Sequence, residues 1–170
     1  MAIGKATFAA GCFWGVEATF QRVEGVLETE VGYMGGHTTS PSYREVCTDR
    51  TGHAEVVQVT FDDSKVSYAR LLEVFFRSHD PTQRNRQGPD VGFQYRSAIF
   101  YHDQRQREEA EAYKAALAAS GRYLRPIVTG LEPAGTFWRA EEYHQKYLQK
   151  RGRPPAIYDE VCGSGDLGPG

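Results

Sequence analysis

Long apolar runs are missing from this chain of 170 residues. No stretch approaches the roughly 20 residues that a bilayer helix needs, so no membrane span is expected. Excess charge is missing too: 20 Lys+Arg stand against 22 Asp+Glu, a net charge of −2. No basic field is available to hold a polyanion, which argues against a nucleic-acid partner. Cysteine is scarce. There are 3, far apart and without a CxxC pair, which fits neither a secreted disulfide framework nor a zinc site. His37, His53, His79, His102 and His144 lack metal-ligand spacing. We therefore expect no metal and no bound cofactor. No leader is expected either. Ala9-Ala10-Gly11-Cys12 has the look of a lipoprotein cleavage box. However, the apolar run before it starts only after Lys5, too short for the ~7–15 residues of a signal core. The expected location is the cytoplasm.

What is present is ordinary globular material, 40% hydrophobic and 25% charged. A chain of this size buries roughly 70% of its unfolded surface and needs no staple. Aromatics reach 12%, enough to line a pocket. We expect one α+β domain over residues 1–152, then a mobile Gly-rich tail over 153–170. Residues 5–10 read as a buried strand, followed by a helix on Phe13, Val16 and Phe20 that stops at Gly25. Val26–Tyr33 returns as a strand, and 34–41 is a loop. Alternation predicts a strand over 54–61 with Glu55, Val57, Val59 and Phe61 on one face. Ser67 caps a helix on Tyr68, Leu71, Leu72, Phe75 and Phe76. Residues 82–92 form a long polar loop, and Tyr95–Tyr101 a strand. Asp103 with Gln106 opens a helix that Gly121 closes. Ile127–Thr129 is expected as an edge strand and Glu141–Leu148 as a helix. The order β-α-β-β-α-β-α predicts a two-layer sandwich around a split βαβ, ferredoxin-like core with extended loops.

Gly163-Ser-Gly-Asp-Leu-Gly168 satisfies a dinucleotide pattern but has no helix after it to open onto a pyrophosphate. Cys12 carries more weight. It sits at a strand-to-helix turn, where unpaired N–H groups favour a thiolate. Gly11 and Gly15 allow close approach to it. Position alone leaves Cys12 divided between a packed small hydrophobe and a reactive thiol. Glu55 tips the balance. A carboxyl on an apolar strand face holds its proton at neutral pH and can act as an acid. Cys47 reads as a packed structural thiol rather than a redox partner. His53 reads as structural rather than as a base for Cys12.

The blocks around these residues resemble a known family. Gly11-Cys12-Phe13-Trp14-Gly15-Val16-Glu17 is similar to the signature of the A-type peptide-methionine (S)-S-oxide reductases. Thr51–Val56, Ser78–Thr82, Asp90–Ser97 and Glu142–Gln145 look like its further blocks, in family order. The resemblance spans residues 6 to 150 and implies a thiol-dependent reductase of methionine-S-sulfoxide. It implies that Cys12 is the nucleophile and that Phe13 and Trp14 wall the substrate methyl group. It places Tyr43, Glu55 and Tyr95 around the sulfoxide oxygen, and Asp90 in the substrate pocket. Cys162 would resolve a sulfenic acid on Cys12, with thioredoxin or a similar dithiol as reductant. The tail departs from the family pattern: only Cys162-Gly163 with a following glycine is kept, after an Arg/Pro-rich insertion. Two rivals remain at this point. One is a hydrolase pairing Cys12 with His53. The other is a module whose Phe13, Trp14 and Tyr43 pocket binds a modified side chain without turnover.

Overall fold

Alternation decides where the central strands lie. In the computed structural model, which describes residues 2–151, β1 (Ile3–Ala10) turns Ala6, Phe8 and Ala10 to one core and Ala9 to another. A strand buried on both faces must sit inside a sheet. β1 pairs antiparallel with β3 (Ala54–Asp62) on one side and β6 (Ser97–Tyr101) on the other. Phe8 lies opposite both Val57 and Ile99. β2 (Val26–Met34) pairs antiparallel with β3 and places Tyr33 opposite Glu55. Two helices link these strands, α1 (Phe13–Gln21) and α3 (Tyr68–Arg77). The run β6-β1-β3-β2 is the expected split βαβ core. A short helix, α2 (Tyr43–Val46), lies between β2 and β3. α4 (Gln104–Ala119) crosses to β7 (Gly130–Pro133), which extends the sheet parallel to β6. β8 (Trp138–Arg139) closes the opposite edge against Gly32 and Tyr33.

The helices share one layer. Phe13, Val16 and Phe20 of α1, Leu71, Leu72 and Phe75 of α3, and Ala110 of α4 pack with Phe8, Val57, Val59 and Ile99. Phe8 stacks on Phe20 and Phe75, each at 5.1 Å between centroids. The other sheet face is a smaller cluster of Ala9, Met34, Val56, Ala98 and Phe100, covered by Ala134 and Phe137. Among the described residues no helix is long and apolar enough to cross a membrane.

Local chemistry corrects several expectations. The edge strand lies at 130–133, not 127–129. The Val128 N–H is taken by the Pro81 carbonyl (2.8 Å), and Thr129 turns its hydroxyl to Ser97 (2.8 Å). Tyr95 is not in a strand. It ends a 3-10 turn, Phe93–Tyr95, that follows Gly92, and the strand begins at Ser97. Residues 82–92 are not wholly loop: β4 (Arg86–Gln87) and β5 (Asp90–Val91) form a ribbon across Gly88. Residues 141–148 are not one helix. The Gln145 side chain pairs with both backbone groups of Val31, at 2.9 Å each, and with the Ala140 carbonyl. Lys146 then takes a left-handed φ of 53°. The result is a 3-10 turn, Glu142–His144, and a separate α5 (Tyr147–Lys150).

Candidate active site

Cys12 is the N-cap residue of α1 and is fully buried. Gly11 brings the chain out of β1 at φ +97°. A β-carbon on Gly11 would lie 2.8 Å from Cβ of Gln87. Gln87 cannot easily yield, because its buried amide clamps the Asp80 backbone, accepting from N (2.8 Å) and donating to O (2.9 Å). Gly11→Ala therefore strains the backbone and pushes Cys12 out of place. It should cost about 1–3 kcal/mol of stability in urea denaturation.

Glu55 rises from the start of β3 toward that helix start. Its Oε1 accepts the Phe13 N–H at 3.2 Å, and its Oε2 is buried with no hydrogen-bond partner. The carboxyl is pushed well above its ordinary range, first by burial and then by the neighbouring Cys12 thiol. The Phe13 N–H opposes the shift, and Asp90 adds to it. Glu55 is thus a neutral acid with one oxygen unengaged. Tyr43 and Tyr95 lie close enough to feel Glu55. Burial keeps both phenols protonated and able to donate. Tyr43 is held from two sides. Ser42 and Glu45 form a capping box on α2. Glu141 accepts the Tyr43 N–H (2.9 Å) and the Tyr33 hydroxyl (3.0 Å). Asp90 is raised to about 6 by burial, and its Oδ2 has no partner. The loop carrying Asp90 and Tyr95 is pinned over β3. Asp49 accepts the Phe93 N–H (2.7 Å), and the Arg96 guanidinium donates to the Gly52 and Phe93 carbonyls.

Phe13 and Trp14 begin α1 inside an aromatic group. Phe13 faces Tyr33, Tyr43 and His144. Trp14 is stacked by Tyr147 at 3.6 Å and 4° and donates its indole N–H to His144 Nδ1 (2.9 Å). That bond puts the imidazole proton on Nε2, which is buried with no partner. Burial lowers the His144 pKa and keeps the ring neutral.

Cys12, Phe13, Trp14, Tyr43, Glu55, Asp90 and Tyr95 therefore gather where α1 begins. Cys162 lies outside the described residues. One sequence reading changes and another holds. Cys47 is exposed rather than packed, and it lies near the Tyr43 and Gln94 side chains and Glu55. Burial of its sulfur nevertheless raises its pKa. His53 spends both ring nitrogens on backbone. Nδ1 accepts the Gly36 N–H (3.0 Å) and Nε2 bonds the Thr38 carbonyl (2.8 Å). A histidine so engaged is no base for Cys12, as expected, and the hydrolase reading loses its second residue. Glu141, His144, Tyr147 and Gln94 were not singled out from the sequence. His144 and Gln94 had a signal, their places in the Glu142–Gln145 and Asp90–Ser97 blocks.

The same arrangement defines a class. The family model "Peptide methionine sulfoxide reductase" matches residues 4–164. A "Peptide methionine sulfoxide reductase MsrA" of Methanoculleus marisnigri is 64% identical over 148 residues, 87% of this chain and 90% of that protein. The crystal structure of Mxr1 from Saccharomyces cerevisiae in reduced form superposes with a TM-score of 0.81 at 36% identity. It covers 91% of this chain and 89% of that one. The same yeast protein in complex with Trx2 superposes with a TM-score of 0.58 at 26% identity, covering 85% and 84%. The chain belongs to the A-type peptide methionine sulfoxide reductase family.

Proposed function

We propose that this chain reduces methionine-S-sulfoxide, free or in proteins, to methionine and so repairs oxidised proteins. One observation carries the mechanism: Glu55, bound to the Phe13 N–H, keeps a second, unpartnered oxygen buried beside Cys12. A sulfoxide sulfur is a poor electrophile until its oxygen gains a proton. Glu55 supplies that proton, while the Tyr43 and Tyr95 hydroxyls hold the oxygen as charge develops. Cys12 attacks sulfur. The hydroxyl then passes from that sulfur to the Cys12 sulfur as the transient S–S bond breaks, so that methionine leaves with the electron pair and Cys12 is left as a sulfenic acid. Phe13 and Trp14 receive the methyl group, and Asp90 lines the pocket. The opposite epimer would exchange methyl and oxygen and set a polar oxygen against Trp14, which explains the S preference.

Residues 1–152 form the catalytic unit in this reading, and 153–170 bring the resolving thiol. Cys162 condenses with the sulfenic acid, forming a Cys12–Cys162 disulfide and water. A thioredoxin-type dithiol then returns both thiols. The yeast relative in complex with Trx2 supports that partner. Cysteines that must return to thiols in every cycle suit the reducing cytoplasm. Cys162→Ser tests the second half-reaction. It should release one methionine per chain and stall with thioredoxin, yet keep turning over with dithiothreitol. A Cys12–Cys47 crosslink in wild-type protein after one equivalent of substrate would assign resolution to Cys47 instead.

A further inference from the structure

Glu17 is a buried carboxylate that neither the reaction nor the apolar core uses. It is 1% exposed and lies one turn beyond Trp14 on α1. Its Oε2 accepts the Thr29 hydroxyl of β2 (2.8 Å), and its Oε1 accepts the Lys146 backbone N–H (2.7 Å). Burial alone would push this carboxyl up, and the two donors offset part of that cost. Helix packing by itself would favour an apolar side chain here, so the polar group must hold something.

What it holds is a strained residue. Lys146 is left-handed at φ 53°, a conformation that persists only where the surroundings enforce it. The Lys146 ammonium adds bonds to Glu28 (2.8 Å) and the Thr29 carbonyl (3.2 Å). The next residue is Tyr147, whose ring lies flat on Trp14. On the preceding side, Gln145 anchors the turn that brings His144 to the indole N–H. The two faces of the Trp14 grip therefore have separate anchors, Gln145 for His144 and Glu17 for Tyr147.

We propose that Glu17 is a positioning residue for substrate recognition: by holding the Lys146 N–H it sets Tyr147 against Trp14 and fixes the wall that receives the substrate methyl group. This rests on the reading of Trp14 as that wall. Glu17 makes no contact with the reacting atoms in this role, so it governs binding more than the chemical step.

The test uses full-length protein with Trp138→Phe, leaving Trp14 as the single tryptophan, and methionine-S-sulfoxide with dithiothreitol. Glu17→Ala should raise KM about tenfold, the equivalent of one charge-assisted hydrogen bond, while kcat stays within about threefold. Trp14 emission should shift to the red. Glu17→Gln keeps an acceptor for the Lys146 N–H and should return KM to within about twofold of wild type and restore the emission. Tyr147→Leu should reproduce the KM increase, and the double variant should be no worse than the more affected single one. If Glu17→Ala does not fold, Glu17→Met fills the volume without an acceptor and carries the same expectations. Unchanged KM and emission in the acceptor-free variant, no rescue by Gln, or full additivity with Tyr147→Leu would each overturn the proposal. Wild-type protein without turnover would instead overturn the functional reading beneath it, and the emission would still decide whether Glu17 sets the stack.

Discussion

Cys12→Ser should abolish methionine formation with any reductant. Serine is a far weaker nucleophile toward sulfur and cannot carry the sulfenic intermediate. The substitution sits at the fully buried N-cap of α1, and a hydroxyl placed there costs about 1–3 kcal/mol at most. The variant should still fold, so lost activity will not be lost structure. Rates from dithiothreitol-driven assays, beside a urea melt, separate the two. Substantial turnover by pure Cys12→Ser protein would remove the mechanism. A binding module, by contrast, would retain its affinity for the sulfoxide and never have turned it over.

Glu55→Gln should slow the methionine-forming step by about 10²–10⁴-fold, the usual contribution of a positioned general acid, and leave substrate binding much less affected. The amide still accepts the Phe13 N–H, so the local frame survives. What is lost is the proton. Single-turnover rates at saturating sulfoxide measure this directly, and a rate within a few-fold of wild type would mean that another group protonates the oxygen. The pH dependence follows from the direction of the shift. Because Glu55 is raised above its ordinary range by burial and by Cys12, the wild-type rate should fall as pH rises through that elevated pKa. The Gln variant should lose this limb. Stability has the same sign. The contribution of protonated Glu55 is complete below its unfolded pKa and is lost as pH rises through the folded one. Glu55→Gln should therefore gain urea resistance relative to wild type on the alkaline side.

The pairing of Cys12 with Glu55 was legible because both signals are local. A strand ending in Gly11-Cys12 before an apolar helix places a thiol at a helix start. A period of two puts Glu55 on the face of Val57 and Val59, which is where the structure has it. The split βαβ core was legible for the same reason, since its strands and helices carry clean periods. The far side of the aromatic grip was not. His144 and Tyr147 reach Trp14 from more than a hundred residues away, through a segment whose spacing reads as one helix. Gln145 breaks that helix by pairing with Val31, and Lys146 completes the break. No local pattern announces a side chain that substitutes for a strand partner. The exposure of Cys47 follows from a cap that the sequence around it does not advertise. The Ser42–Glu45 box begins α2 at Tyr43 and leaves Cys47 at the helix end, exposed and with its backbone N–H on the Tyr43 carbonyl. Asp90 reaches its place only through the short ribbon across Gly88, which a reading of loop composition does not reveal.

The most direct test is one turnover by Cys162→Ser protein, without reductant, on one equivalent of methionine-S-sulfoxide, followed by dimedone trapping and peptide mass spectrometry. The account predicts one methionine per chain and a single dimedone adduct on the Cys12 peptide, with no reaction of the R epimer. Methionine formed while the Cys12 peptide stays an unmodified thiol, or an adduct on Cys47 alone, would contradict it.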